Sequence, residues 1–263
     1  MMDRSKWNGR KRVTIEKVQP EIDGGRYPIK RVVGESVRVK ADIFCDGHDS
    51  IRAVLYYKQT TEATWHPVEM HYGVNDRWHA QFPITQLAPY EYKISAWVDH
   101  FKTWRNDLWK KWNANQAEDI DLRMGVQWLE PVAARAEGVD KQRIQAAIDR
   151  LRSSASLAER IQAAMEPDLE ICVNRYPDYT QASEYEKTLQ VAVDREKARF
   201  SAWYEMFPRS AAQQPGKHGT FADVERRLPY IQEMGFDVLY LPPIHPIGTT
   251  HRKGKNNSTT AEK

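Results

Sequence analysis

The residues of this 263-residue chain best suited to chemistry lie in one run, Gly248-Thr249-Thr250-His251-Arg252-Lys253-Gly254-Lys255-Asn256-Asn257. Arg252, Lys253 and Lys255 place three cations within four positions, interrupted by Gly254. Clustered ammonium and guanidinium donors suit a phosphate-type anion, and the amides of Asn256 and Asn257 can bond ligand hydroxyls. A solvated basic loop has the same composition, so the run needs its structural context. Other candidates carry less. His48 sits in Asp46-Gly47-His48-Asp49, whose Asp and Gly residues read as a turn between strands. His245 and His251 read as loop structure. Glu205, within Trp203-Tyr204-Glu205, reads as an ordering residue on a strand rather than as a catalytic acid. Cys45 and Cys172 are far apart with no Cys-x-x-Cys or Cys/His spacing, which argues against a disulfide framework and a zinc site and for ordinary buried or half-buried thiols. No cofactor is expected.

The elements that position the cationic run begin at about residue 198. Arg199 to Phe207 reads as a short strand ended by Pro208. Thr220 with Asp223 three residues on forms a capping-box pattern, and Phe221, Val224, Leu228, Ile231 and Met234 give a helix stripe stopped by Gly235. Pro229 within it is expected to leave a kink. Phe236 to Leu241 is a nearly continuous apolar strand of the parallel-sheet kind, broken by Pro242-Pro243. Strand, helix, strand and polar loop read as the opening β-α-β of an α/β fold.

Upstream, the pattern has period two from about residue 12 to 105. Val37, Val39, Ala41 and Ile43 alternate with polar residues, as do Tyr92, Ile94, Ala96 and Val98 with their neighbours. Turn signals at Asp23-Gly24-Gly25, Asp46 to Asp49 and Gly73 to Asp76 complete the pattern of an immunoglobulin-like β-sandwich. Its Trp65, Trp78, Trp97 and Trp104 fit a sugar-stacking platform or, as the favoured reading, sandwich core and interdomain packing. From 106 to 185 the period becomes 3.6, with Ile144, Ala147, Ile148 and Leu151 on one stripe and Leu157, Ile161, Ala164, Met165 and Leu169 on another. Gly138, Ser153-Ser154, Pro167 and Pro177 divide this helical bundle. Such a bundle can fill a groove on its own chain or pair with a second subunit, and the second is favoured. The expected organisation is therefore a flexible basic N-terminus (1–11), a β-sandwich (12–105), a helical bundle (106–185), a connector (186–197) and the α/β region (198–263).

Composition agrees with a globular chain: 41% hydrophobic, 29% charged, nine Trp. No stretch approaches the ~20 apolar residues of a membrane span, and the basic start lacks the apolar core of a secretory signal, so the cytoplasm is the expected address and no membrane partner is expected. The net charge of +3 is small for this length, which argues against nucleic acid as a partner.

Several motifs carry a family resemblance. Trp203 to Ser210 (WYEMFPRS), His218 to Phe221 (HGTF), Met234 to Asp237 (MGFD) and Val238 to Gly248 (VLYLPPIHPIG) resemble the first two strands of the α-amylase superfamily (β/α)8 barrel. Gly248 to Asn257, taken with Val18 to Arg31 (VQPEIDGGRYPIKR), is similar to one branch, the α-1,4-glucan:maltose-1-phosphate maltosyltransferases. The resemblance covers essentially the whole chain. It implies a homodimeric enzyme that transfers maltosyl units from maltose 1-phosphate to the non-reducing ends of α-1,4-glucans, with retention and release of phosphate. It also implies that Lys253 contacts the donor; Asn256, beside it, is the candidate for bonding a sugar hydroxyl. Retaining transfer needs two carboxyl groups, which the superfamily carries on its fourth and fifth barrel strands. A barrel needs about 250 residues for itself, so the expectation is an N-terminal fragment with a truncated barrel, no nucleophile or acid/base of its own, and no activity alone. A related glucan hydrolase or branching enzyme, or a non-catalytic dimerisation or glucan-binding module, are the alternatives.

Overall fold

The computed structural model describes residues 11–246 and 248–259, apart from the Lys255 side chain. Residues 1–10, Ile247 and 260–263, which include most of the expected basic N-terminus and the end of the expected α/β region, lie outside the described residues. The chain forms two compact units, residues 1–194 and 195–263.

The first unit opens with strands β1 (Val13–Gln19), β2 (Ile29–Val32), β3 (Ser36–Cys45), β4 (Ile51–Gln59), β5 (His66–Glu69), β6 (His71–Tyr72), β7 (Arg77–Pro83) and β8 (Tyr90–Val98). Helices α1 (His100–Asn113), α2 (Asp119–Arg135), α3 (Gly138–Arg152), α4 (Leu157–Ala164) and α5 (Pro167–Asn174) follow, and then β9 (Ser183–Glu184) and β10 (Leu189–Asp194). One sheet has the order β1-β3-β7-β6; the other runs β2-β10-β8-β4-β5, with β9 also on β8. The expected alternation is realised in register. Val37, Val39, Ala41 and Ile43 of β3 and Tyr90, Tyr92, Ile94 and Ala96 of β8 enter one core shared by both sheets, while Arg38 and Lys40 face out. The Trp78 indole donates to the Ile43 carbonyl at 3.0 Å, satisfying its one polar atom within that core.

Residues 189–194, read from sequence as part of a connector, instead form β10, which runs parallel to β2 (Val191 opposite Ile29) and antiparallel to β8 (Val191 opposite Tyr90). Leu189 and Val191 complete the sheet core, so the two-sheet body closes only after the helices have been made. The helices also begin earlier than the periodicity suggests. Asp99 caps α1, its carboxylate accepting from the Lys102 N–H at 2.9 Å.

Phe101, Trp104 and Leu108 of α1 pack with Leu122, Val126 and Leu129 of α2, Ile144 and Ile148 of α3, and Leu169 and Cys172 of α5 in a second core. Gly125 is what allows α1 and α2 to approach: a Cβ there would sit 2.0 Å from the Trp104 ring. The Trp104 indole in turn donates to the Asp121 carbonyl at 2.7 Å. Asp121 closes a capping box at the start of α2, its carboxylate accepting from the Glu118 N–H at 3.0 Å and from the Lys111 ammonium. Pro167 starts α5, as its place in the sequence suggests. The thiols are free, Cys45 half-buried and Cys172 buried. No helix among the described residues is long and apolar enough to cross a membrane.

The second unit contains β11 (Trp203–Glu205), α6 (Phe221–Glu233) and β12 (Val238–Tyr240). Its strands are three residues each, shorter than the apolar runs that contain them, because Pro208 and Pro242-Pro243 end the pairing. Val224 and Ile231 of the α6 stripe are buried with Met206 and Ala211. Phe221, Leu228 and Met234 of the same stripe are exposed.

Candidate functional site

The two strands of the second unit are parallel, with Trp203 opposite Val238, Tyr204 opposite Leu239 and Glu205 opposite Tyr240. Parallel pairing sends the loops that follow both strands off the same edge of the sheet. The first of these loops is fixed by Gly219. A Cβ at that position would lie 2.3 Å from the Pro208 carbonyl oxygen, and the Gly219 N–H donates to the Arg209 carbonyl at 2.8 Å. The His218-Gly219-Thr220-Phe221 motif is thus a close backbone approach followed by a helix start. The Asp223 carboxylate accepts from the Thr220 N–H at 2.7 Å and its hydroxyl at 2.8 Å, and this cap, together with Arg226, holds Asp223 below the ordinary carboxylate range. Gly235, at φ +85°, ends α6. Asp237 ties β12 back to β11: its carboxylate pairs with Lys197 at 2.8 Å and accepts from the Ala202 N–H at 3.1 Å, which together lower its pKa.

The second loop, after β12, carries Lys253 and Asn256. His251, Asn256 and Asn257 all have left-handed backbone (φ 54°, 55° and 59°), a region in which Asn and His are enriched. The Gly254 N–H donates to the Ser258 carbonyl at 3.0 Å, folding the loop on itself. Arg252, Lys253 and Asn256 are exposed on it. Among the described residues no carboxylate pairs with Arg252 or Lys253, and both cations stand exposed beside exposed amides. Such a combination has the chemistry to hold an anion together with hydroxyl groups.

The remaining sequence candidates divide as follows. Glu205 is exposed on β11, directly opposite Tyr240. His48 occupies a bend whose neighbours Asp46 and Asp49 pair with Arg12 at 2.8 and 2.6 Å, so the acids around it serve an ion-pair cluster. His245 is exposed in the segment after β12, and His251 is the left-handed turn residue already described. Trp78, Trp97 and Trp104 are buried and form no platform; Trp65 is half-buried, with the Lys58 and Lys93 ammonium groups 5.0 and 5.3 Å from its ring centroid. Sequence reasoning missed a cleft in the first unit, lined by Arg52, Trp97, Trp128 and Gln181 among others. Its lining residues are dispersed from position 12 to position 181, and no local pattern joins them.

The chain thus joins a unit of two sheets and five helices to a separate parallel β-α-β unit, a multidomain organisation. Residues 11–195 match the family model for domain N/S of α-1,4-glucan:maltose-1-phosphate maltosyltransferase, and the match ends within one residue of the first compact unit. The chain belongs to this family. It is 48% identical over 255 residues to the α-1,4-glucan:maltose-1-phosphate maltosyltransferase of Chlorobaculum tepidum, a match covering 97% of this chain and 38% of that protein. It is 47% identical to the Myxococcus xanthus protein of the same name (95% and 38% covered) and 40% identical to maltosyltransferase 1 of Streptomyces coelicolor (95% and 38% covered). The chain thus spans well under half the length of these relatives.

Proposed function

We propose that this chain forms the N-terminal part of an enzyme that moves maltosyl units from maltose 1-phosphate to the non-reducing ends of α-1,4-glucans, with retention and release of phosphate. In this reading the first unit is an immunoglobulin-like sandwich carrying an inserted helical bundle. The second unit is the start of a (β/α)8 barrel. The observation that carries the reading is the exposed cationic loop after β12, in a chain whose residues 11–195 match the family. In such barrels the loops at the C-terminal ends of the strands build the active site.

Lys253 supplies the point charge that holds the donor phosphate as it becomes a leaving group, and Asn256 bonds a sugar hydroxyl. The nucleophile and the acid/base required for retention belong to that part of the relatives' length which this chain does not span. The 263 residues alone therefore catalyse no transfer. The protein works as a homodimer in the cytoplasm, and the exposed Trp109, Ile120 and Met124 on α1 and α2 support a subunit contact through the helices.

The test is Lys253→Ala in the full-length protein carrying this sequence. A charged hydrogen bond to phosphate is worth about 1.5–3 kcal/mol, so kcat/KM for maltose 1-phosphate falls about 10- to 100-fold. An unchanged kcat/KM for the donor removes Lys253 from the site.

A further inference from the structure

On the outward face of one sheet of the first unit, five donor side chains stand together. Alternation in β3 and β7 sends Val37, Val39, Trp78 and Ala80 into the core and leaves Arg38, Lys40, His79 and Gln81 exposed. In the register Arg38 lies opposite Gln81 and Lys40 opposite His79. His79 in turn lies opposite the exposed His71 of β6, their imidazole centroids 6.0 Å apart. Paired strands are about 4.8 Å apart and same-face neighbours along a strand about 6.8 Å, so the five form a grid of roughly 7 by 10 Å. A groove of about 580 Å³ runs over them, completed by Val68, Glu69 and Ala80, a size that suits a small ligand.

The state of the neighbouring charges decides what the groove can hold. Among the described residues, none of these five side chains is hydrogen-bonded or ion-paired to another protein group. The one carboxylate in the lining, Glu69, pairs with Arg52 at 3.1 Å. Asp42, two residues beyond Lys40 on β3, is held by Lys17 at 3.0 Å and Arg77 at 2.7 Å. Two ligand chemistries compete for such a grid. Imidazoles facing each other across two strands suit a borderline divalent metal. Here, however, Lys40 continues the imidazole row and Arg38 flanks it, so a divalent cation would be repelled by both. No group of three or more His, Cys, Asp or Glu side chains placed to hold a metal occurs among the described residues. The field therefore favours an anion. The Arg38 fork and the Lys40 ammonium match phosphate oxygens. Each imidazole offers at least one N–H in either tautomer, and Gln81 offers its amide. A lone phosphate reaches only part of the grid, whereas linked phosphates span it.

We propose that this groove binds a small molecule carrying two or more linked phosphate groups, anchored by Arg38 and Lys40 and further bonded by His71, His79 and Gln81. The site uses residues of the first unit alone and stands whether or not the transferase reading does.

The test titrates inorganic tripolyphosphate and, in parallel, inorganic phosphate into the complete 263-residue chain by calorimetry. Salt is held at about 0.15 M, where distant exposed charges are largely screened. Saturable binding of tripolyphosphate is expected, at least about tenfold tighter than phosphate. Arg38→Gln and Lys40→Gln should each weaken it about tenfold, the scale of one charge-assisted hydrogen bond. Lys141→Gln, which removes an exposed cation on α3, should leave it unchanged, and all three variants should keep the wild-type thermal midpoint. Absence of saturable binding, equal affinity for phosphate, the same loss in Lys141→Gln, or wild-type affinity in both Arg38→Gln and Lys40→Gln overturns the proposal. Two further arms discriminate the alternatives. Binding of Ni²⁺ that His79→Ala abolishes, with tripolyphosphate unbound, would assign the imidazole pair to a metal. A single-stranded oligonucleotide that binds and that tripolyphosphate does not displace would assign the face to a polymer. Either result also overturns the proposal.

Discussion

Gly125→Ala offers a test in which two physical effects oppose each other and the structure decides the sign. Gly125 is interior to α2, where replacing glycine by alanine ordinarily gains about 1 kcal/mol of helix propensity. Here the new Cβ would stand 2.0 Å from one Trp104 ring carbon and 2.4 Å from another, against the 3.4 Å at which ordinary contact begins. Trp104 is 5% exposed, packed between Phe101 and the α2 residues, so the ring has no free volume into which to retreat. Overpacking of this kind costs about 1–3 kcal/mol. Moving the indole also breaks its hydrogen bond to the Asp121 carbonyl, a further ~1 kcal/mol. Set against the propensity gain, the net is a destabilisation of about 1–3 kcal/mol. Urea unfolding followed by circular dichroism at 222 nm and by tryptophan emission reads this directly. Trp104→Leu in the Gly125→Ala background should recover part of the loss, because the smaller side chain vacates the site of the clash. A single Gly125→Ala variant as stable as wild type, or more so, would refute the packing argument.

Two further predictions follow from caps and close approaches. Burial alone would raise the Asp121 pKa, but the hydrogen bonds from Lys111 and the Glu118 N–H outweigh it and hold the carboxyl below its ordinary value. The stabilisation from Asp121 is therefore complete above the unfolded value of about 3.9 and fades as pH falls through the lower folded value. Asp121→Asn should cost about 1–2 kcal/mol at pH 6, the half-exposed Lys111 keeping the figure modest, and the gap from wild type should close below about pH 4. A pH-independent gap in urea titrations would contradict this. Gly219→Ala drives a Cβ against two backbone atoms, the Pro208 oxygen and the Ala212 nitrogen at 2.7 Å. It should destabilise the second unit by about 1–3 kcal/mol, seen as faster amide exchange at Val224 and Ile231, while exchange in the first unit is unchanged.

Legibility in the sequence followed locality. The inward rows of β3 and β8 and the stripe of Ile144, Ile148 and Leu151 were readable because each element carries its own periodicity. The capping pair Thr220 and Asp223 and the stop at Gly235 were equally local. β10 was not, because six residues flanked by polar segments acquire partners only when β2 and β8, some 160 and 100 positions earlier, lie alongside. The exposure of Phe221 and Leu228 was likewise hidden, since a stripe tells which face is apolar and not whether anything covers it. In the candidate site, the charge of the loop was visible and its left-handed fold at Asn256 and Asn257 was at most suggested by the Asn pair. The Trp128 cleft left no trace because its residues come from five separate stretches of chain.

In the proposed reaction, phosphate leaves as each maltosyl unit is moved. Maltose 1-phosphate and a maltooligosaccharide acceptor, given to the full-length protein carrying this sequence, should yield one inorganic phosphate for each two-glucose extension at the non-reducing end. Release of reducing sugar without phosphate, or glucan shortening in place of extension, would contradict it.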